Sequence, residues 1–210
     1  MPKLLVATTN PDKLREIRPM LHGLAVDLAT LAEWPDIDPP PETGRTFAEN
    51  ARAKALYYAR RTGELTVAED SGLEIDALDG APGVESARYG GDAPYADKFS
   101  RIYAALRARH LATSAARFVC ALALVRGGRV LFETQGTVEG QIAPVPKGGG
   151  GFGYDPIFFY PPFGCTLAEA GDRKAAVSHR AKAFRALRNY MVTELHAEAA
   201  EDAEDKADEK

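Results

Sequence analysis

The chain has 210 residues, 45% hydrophobic and 27% charged, a globular composition that excludes a fibrous or low-complexity protein. Its net charge of −4 is localised: residues 197–210 hold seven acids and two lysines, leaving 24 basic and 23 acidic residues elsewhere. A body so close to neutral lacks the cationic face of a nucleic-acid binder, and no run of about 18 apolar residues exists to cross a membrane. Met1-Pro2-Lys3 leads straight into an apolar stretch without a signal-peptide core, so the expected location is cytoplasmic. Cys120 and Cys165 have no CxxC spacing and read as reduced structural residues.

Strand and helix signals alternate from the start. Lys3 to Thr8 reads as a strand, Asn10-Pro11 as a turn, and Leu14, Ile17 and Leu21 as the apolar face of a helix. A second strand is expected over Val26 to Leu31. The segment Pro35 to Gly44, with Pro39, Pro40 and Pro41 in succession, is too proline-rich for a regular element. Thr46 is placed to cap a helix reaching about Arg61, with Phe47, Ala51, Ala55 and Tyr58 on its apolar face. Asn50 and Lys54 lie one turn apart beside that face. Leu65 to Ala68 reads as a third strand that delivers Glu69-Asp70-Ser71-Gly72 at its end.

The second half changes character. A loop from Asp79 to Gly91 precedes a helix over Ala96 to Leu111, and Arg117 to Val125 and Arg129 to Gly136 form a hairpin turned at Gly127-Gly128. Four glycines, Gly148 to Gly151, lead to an aromatic strand over Ile157 to Tyr160. A last helix starts after Ser178 and carries Ala183, Phe184, Leu187 and Tyr190. The sum is an α/β protein with a mixed sheet and two lobes around a cleft. The acidic run from Ala197 to Lys210 reads as a frayed helix end followed by a disordered, solubilising tail.

Four polar clusters carry possible chemistry, the first three each with a plainer structural reading beside it. Thr8-Thr9-Asn10-Pro11-Asp12-Lys13 opens a helix, where outward N–H groups and an ammonium suit phosphate, or where Asn10 and Asp12 merely cap a turn. Glu69 and Asp70 suit a hard cation such as Mg2+, or are acids of a turn. Gly148 to Asp155 lets backbone approach a ligand, with Phe152 and Tyr154 as stacking rings, or is a flexible lead into a core strand. The fourth is Lys174 with Ser178-His179-Arg180: Ser178 suits an N-cap, so His179 and Arg180 stand in the first helical turn against the dipole, where a ligand's oxygen substituents are one reason for them.

Together these residues resemble a known family. Thr8-Thr9-Asn10 with Lys13, Phe47-Ala48-Glu49-Asn50-Ala51, Glu69-Asp70-Ser71-Gly72-Leu73, Gly80-Ala81-Pro82-Gly83 with Ser86-Ala87-Arg88-Tyr89, Gly151 to Asp155, and Ser178-His179-Arg180 follow the order of the inosine/xanthosine triphosphate pyrophosphatases, also called Ham1-like proteins. The resemblance runs from about Lys3 to Tyr190. It implies an elongated mixed β-sheet with flanking helices in the Maf/Ham1-like manner, one pyrophosphatase domain over residues 1–196, and a homodimer.

The resemblance also implies roles. Such enzymes hydrolyse ITP, dITP and XTP to the monophosphate and pyrophosphate with Mg2+, removing deaminated purines from the nucleotide pool. Asp70 would be proton acceptor and metal ligand, Glu42 a second metal ligand with Glu49 or Glu69 in competition, and Ser71 a substrate contact. Thr8, Thr9, Asn10, Pro11, Asp12 and Lys13 would hold the triphosphate, and Lys54 is a helix-face cation with reach to it. Phe152, Gly153, Tyr154, Asp155, Lys174, His179 and Arg180 would surround the nucleoside. Glu69 stands where the family often has Asp. A Maf-like pyrophosphatase of different base preference and a non-enzymatic nucleotide-binding regulator are the competing readings.

Overall fold

The computed structural model describes the backbone of residues 1–208 and, through residue 193, the side chains as well. The expected disordered tail, 197–210, lies outside the fully described residues. Among the described residues, seven strands form one sheet in the order β2-β1-β3-β4-β5-β6-β7. β1 (Lys3–Val6) runs parallel to both β2 (Asp27–Thr30) and β3 (Leu65–Ile75), and every later pairing is antiparallel. β4 (Ala115–Arg126) and β5 (Arg129–Ile142) make a hairpin longer than expected, while β6 (Phe158–Tyr160) and β7 (Cys165–Thr166) are short.

Helices flank the sheet. α1 (Pro11–Leu21) begins at Asn10, whose side-chain oxygen accepts from the N–H groups of Asp12 and Lys13, and α2 (Phe47–Thr62) begins at Thr46, whose hydroxyl accepts from Glu49 N–H. α3 (Tyr95–Ala108) covers one end, and α4 (Lys174–Val177) leads into α5 (His179–Asp208). Ser178 Oγ accepts from Ala181 N–H at 3.1 Å, as its position before the last helix predicts.

Strand alternation sorts the core. Leu4, Val6, Leu65, Val67, Cys120, Leu122 and Leu124 pack with Ile17 and Leu21 of α1 and Ala183, Phe184 and Leu187 of α5. Their neighbours Leu5, Ala68, Ala123 and Val125 pack with Ala55, Tyr58 and Ala59 of α2 on the opposite face. A further core gathers Leu73, Ile75, Phe99, Ile102, Leu106, Phe118, Val138 and Phe158 around α3 and the far end of β3 and β4.

The expectation that β3 ends before Glu69 is corrected: it continues to Ile75, so Glu69-Asp70-Ser71-Gly72 lies in mid-strand. β4 pairs with it throughout, and that ladder sustains the extended backbone past the polar residues. On the other side β1 accompanies β3 only to Val67. Beyond that point the β3 edge is unpaired until the Pro82–Ser86 stretch meets it at Leu73 and Glu74, and the cleft begins in that gap.

Candidate active site

A cleft of about 470 Å3 lies where β1 stops. Thr8, Thr9, Asn10, Lys13, Glu42, Asp70, Ser71, Phe152, Gly153, Tyr154, Asp155, Lys174, His179 and Arg180 all line it. Pro11 and Asp12 do not; Pro11 opens the first turn of α1, and the Asp12 carboxylate turns to Arg15. The main-chain N–H of Asp12 and that of Lys13 donate to Asn10 Oδ1, so both are engaged in the cap.

The pleat of β3 separates its two acids. Ala68 packs on α2, so Asp70, two residues on, also faces α2, and there Asn50 Nδ2 donates to its Oδ2 at 3.0 Å. Lys54, one turn after Asn50, reaches Asp70 Oδ1 at 3.4 Å and Glu42 Oε1 at 2.5 Å. Burial, reinforced by the Glu42 carboxylate, pushes the Asp70 carboxyl up from its ordinary value against the pull of Lys54 and Asn50. Burial works the same way on Glu42, but there Lys54 and Arg88 prevail and hold it below the usual carboxylate value.

Glu69 faces the other way. Lys13 Nζ lies 3.0 Å from its Oε1 and Arg180 Nη2 lies 3.4 Å away, while Cys120 Sγ donates to Oε2 at 3.3 Å. Burial alone would raise this carboxyl; Lys13, Arg180 and Lys54 overturn that and hold it well below the usual range. Arg180, 1% exposed, also donates to Ser71 Oγ at 2.9 Å and to Glu16 at 2.6 Å. Lys174 bridges Glu16 at 2.7 Å and Asp155 at 2.6 Å. The Lys174 ammonium and the Arg180 guanidinium lie 5.0 and 5.5 Å from the centroid of the Phe152 ring.

His179 stacks on Phe118 with centroids 4.9 Å apart and planes 15° from parallel. Burial first, then the Arg180 charge, drives its pKa well below the ordinary histidine value, so it stands neutral beside the guanidinium. His179 Nδ1 and Arg180 Nε are buried without a hydrogen-bond partner. Buried polar atoms are normally paired, so these two stand out as unsatisfied groups on residues that line the cleft.

Tyr154 departs from the expected stacking ring. It is 3% exposed, packs edge-on to Tyr95 with centroids 5.2 Å apart, and donates its hydroxyl to Ser86 O at 2.8 Å. Phe152 is the ring that remains partly open. The sequence motifs give no role to Glu16 or Arg88. Glu16 stands nearly one turn after Lys13 on α1, a spacing that gives both one face, whereas nothing local to Arg88 indicates its contact with Glu42.

The donor set fits a divalent cation. Glu42 and Asp70 present carboxylate oxygens to one ammonium, and oxygen donors of this kind take Mg2+ with water or phosphate completing its shell. Glu69 is committed to two cations on the opposite face, and the Glu49 carboxylate accepts from Arg45 N–H at 2.6 Å. Among the described residues no group of three or more His, Cys, Asp or Glu converges on a metal position.

Fold and site together define an α/β protein whose cleft joins a carboxylate–ammonium cluster to a pocket of a ring and cationic donors, a layout for a ligand both anionic and aromatic. The Ham1 family model matches residues 4–190, and the chain belongs to that family. It is 44% identical over 191 residues to a dITP/XTP pyrophosphatase of Exiguobacterium sp., covering 90% of this chain and 97% of that one. A dITP/XTP pyrophosphatase of Thermus thermophilus is 48% identical over 188 residues, covering 88% of this chain and 89% of the relative. The structure of a HAM1 protein from Coxiella burnetii superposes with a TM-score of 0.86 at 37% identity, covering 92% of this chain and all of the other.

Proposed function

We propose that this protein is a nucleoside-triphosphate pyrophosphatase that hydrolyses ITP, dITP and XTP to the monophosphate and pyrophosphate, removing deaminated purines from the nucleotide pool. The observation that carries the reading is the joining, in one cleft, of Asp70 and Lys54 with His179, Arg180 and the partly open Phe152 ring. The relatives named dITP/XTP pyrophosphatase support the same activity.

Asp70, raised by burial and steadied by Asn50, positions a water and takes its proton as the water attacks the α-phosphorus. The Thr8 to Asn10 turn and Lys13 receive the phosphate chain, and Lys54 follows its charge. Asp70 and Glu42 would hold Mg2+, which would supply neutralisation of phosphate charge. Pyrophosphate leaves, and no covalent intermediate forms. At the other end Phe152 offers a ring face, while His179 and Arg180 donate to the six-position oxygen of the base. Adenine has an amino group there, leaving buried donors unpaired at a cost of about 1–3 kcal/mol each, whereas guanine shares the oxygen and is discriminated by its two-amino group.

The protein acts as a cytoplasmic homodimer in this reading. Its pyrophosphatase domain spans residues 1–196, and the tail 197–210 is a solubilising extension whose removal leaves turnover unchanged. Among the described residues no helix is long and apolar enough to cross a membrane.

A panel of ITP, XTP, ATP and GTP with Mg2+ and product identification tests the whole reading. Pyrophosphate should appear much faster from ITP and XTP than from ATP or GTP. Orthophosphate as first product would reject the reaction class, and equal rates on all four would reject the base selectivity.

A further inference from the structure

Two cations reach Glu42 from different sides. Lys54 Nζ binds Oε1 at 2.5 Å and continues to Asp70, whereas Arg88 Nη1 binds Oε2 at 2.9 Å. Arg88 follows a short helical turn, Gly83–Glu85, in a stretch with no strand or α-helix to fix it. That stretch is nevertheless tied down at successive residues. Ser86 Oγ accepts from Leu73 N–H at 2.9 Å and donates to Gly83 O at 2.6 Å, and Ser86 O accepts from the Tyr154 hydroxyl.

The next residue is held by a buried lysine. Lys98, 4% exposed on α3, donates its ammonium to Ala87 O at 2.5 Å. A buried ammonium costs stability unless it is well bonded, so its placement on this carbonyl constrains the segment strongly. Beneath it, Gly72 leaves no room for a side chain: a Cβ there would collide with Ser86 Oγ and come within 2.7 Å of Gly83 O. The segment is thus seated on β3 two residues beyond Asp70.

We propose that Arg88 is a positioning residue of the cation site, orienting the Glu42 carboxylate so that its Oε1 faces the same point as Asp70. The inference rests on the metal-dependent reading above and adds a residue to it. Glu42 needs such a partner because it follows Pro39, Pro40 and Pro41 in a segment without helix or strand, where no ladder fixes its side chain. A guanidinium is well suited to this role. One nitrogen binds Glu42 while Nε and the other terminal nitrogen bind Glu85 at 3.2 and 3.3 Å, so the fork is itself held. A donor on the outer oxygen of a ligating carboxylate fixes which oxygen meets the metal, and its loss typically lowers metal affinity by about 10–100-fold.

The test uses Mn2+ alone as a paramagnetic stand-in for Mg2+, titrated into the full-length protein and followed by the electron paramagnetic resonance of the free ion. Glu42→Gln marks the loss of a ligand. Arg88→Ala should weaken Mn2+ binding about 10–100-fold, and Arg88→Lys should fall between it and the unaltered protein, with the thermal melting temperature unchanged in both. Equal Mn2+ affinity in Arg88→Ala and the unaltered protein would overturn the proposal and leave Arg88 as a loop tie only. Absence of Mn2+ binding by the unaltered protein overturns it as well. Pyrophosphate release from ITP, measured separately, decides the functional reading: release together with unchanged binding in Arg88→Ala sinks this inference alone.

Discussion

Glu69 and Asp70 are adjacent in the chain and face opposite sides of the sheet, Glu69 toward Lys13 and Arg180, Asp70 toward Asn50 and Lys54. One strand therefore serves two environments with opposite effects on a carboxyl. The cationic side holds Glu69 ionised, and the α2 side raises Asp70 toward the range of a proton acceptor.

Asp70→Asn should lower kcat by at least about two orders of magnitude while the melting temperature stays level or rises. A carboxyl whose pKa is raised by burial is less favourable ionised in the folded than in the unfolded chain, so a neutral isostere sacrifices no stability at neutral pH. Calorimetry beside steady-state kinetics checks both halves, and a marked fall in melting temperature would contradict the electrostatic account.

Lys54→Ala should move the acid limb of kcat/KM to higher pH. Lys54 is the strongest influence lowering the Asp70 carboxyl, and Glu42 raises it. Without the ammonium, burial and Glu42 act on Asp70 less opposed, so it ionises only at higher pH. Lys54→Arg keeps the charge and should keep the limb near its original place. A pH–rate profile of the three proteins reads the difference directly.

Glu69→Gln should destabilise the fold by about 3–5 kcal/mol at neutral pH, because the buried Arg180 and the part-buried Lys13 lose their shared carboxylate. The sign of the pH dependence follows from the depressed folded pKa. The stabilisation is fully present above the unfolded value of 4.5 and is lost as pH falls through the folded value. Denaturant midpoints should therefore differ most near neutrality and converge in strong acid; a constant gap would refute the linkage.

Gly136→Ala should disturb the first turn of α5. A Cβ on Gly136 would collide with His179 O and lie 2.8 Å from Ala183 N, so the helix start must shift at a cost of about 1–3 kcal/mol. His179 and Arg180 move with it, and kcat/KM for ITP should drop. Gly149→Ala meets nothing within 4 Å and serves as the control that leaves stability unchanged.

Much of this layout was legible in the chain. Asn10, Thr46 and Ser178 sit where a helix start needs a side-chain acceptor, and all three caps form. The Gly127-Gly128 turn joins β4 and β5 as its composition predicts, both glycines at positive φ. Illegible were the extent of β3, which depends on β4 pairing beyond an apolar run, and the fate of Tyr154, whose hydroxyl finds Ser86 O across 68 residues. Arg88 and Glu42, 46 residues apart, meet only through the seating of their two loops.

By itself the sequence determined the local elements and the inventory of acids, cations and rings, because capping, turn chemistry and apolar periodicity act over a few residues. Only the tertiary structure decided which carboxylates share a cation. That choice depends on where β1 stops, how the pleat of β3 turns Glu69 from Asp70, and which helix covers each face. Long-range packing sets all three, and no short stretch of residues encodes it.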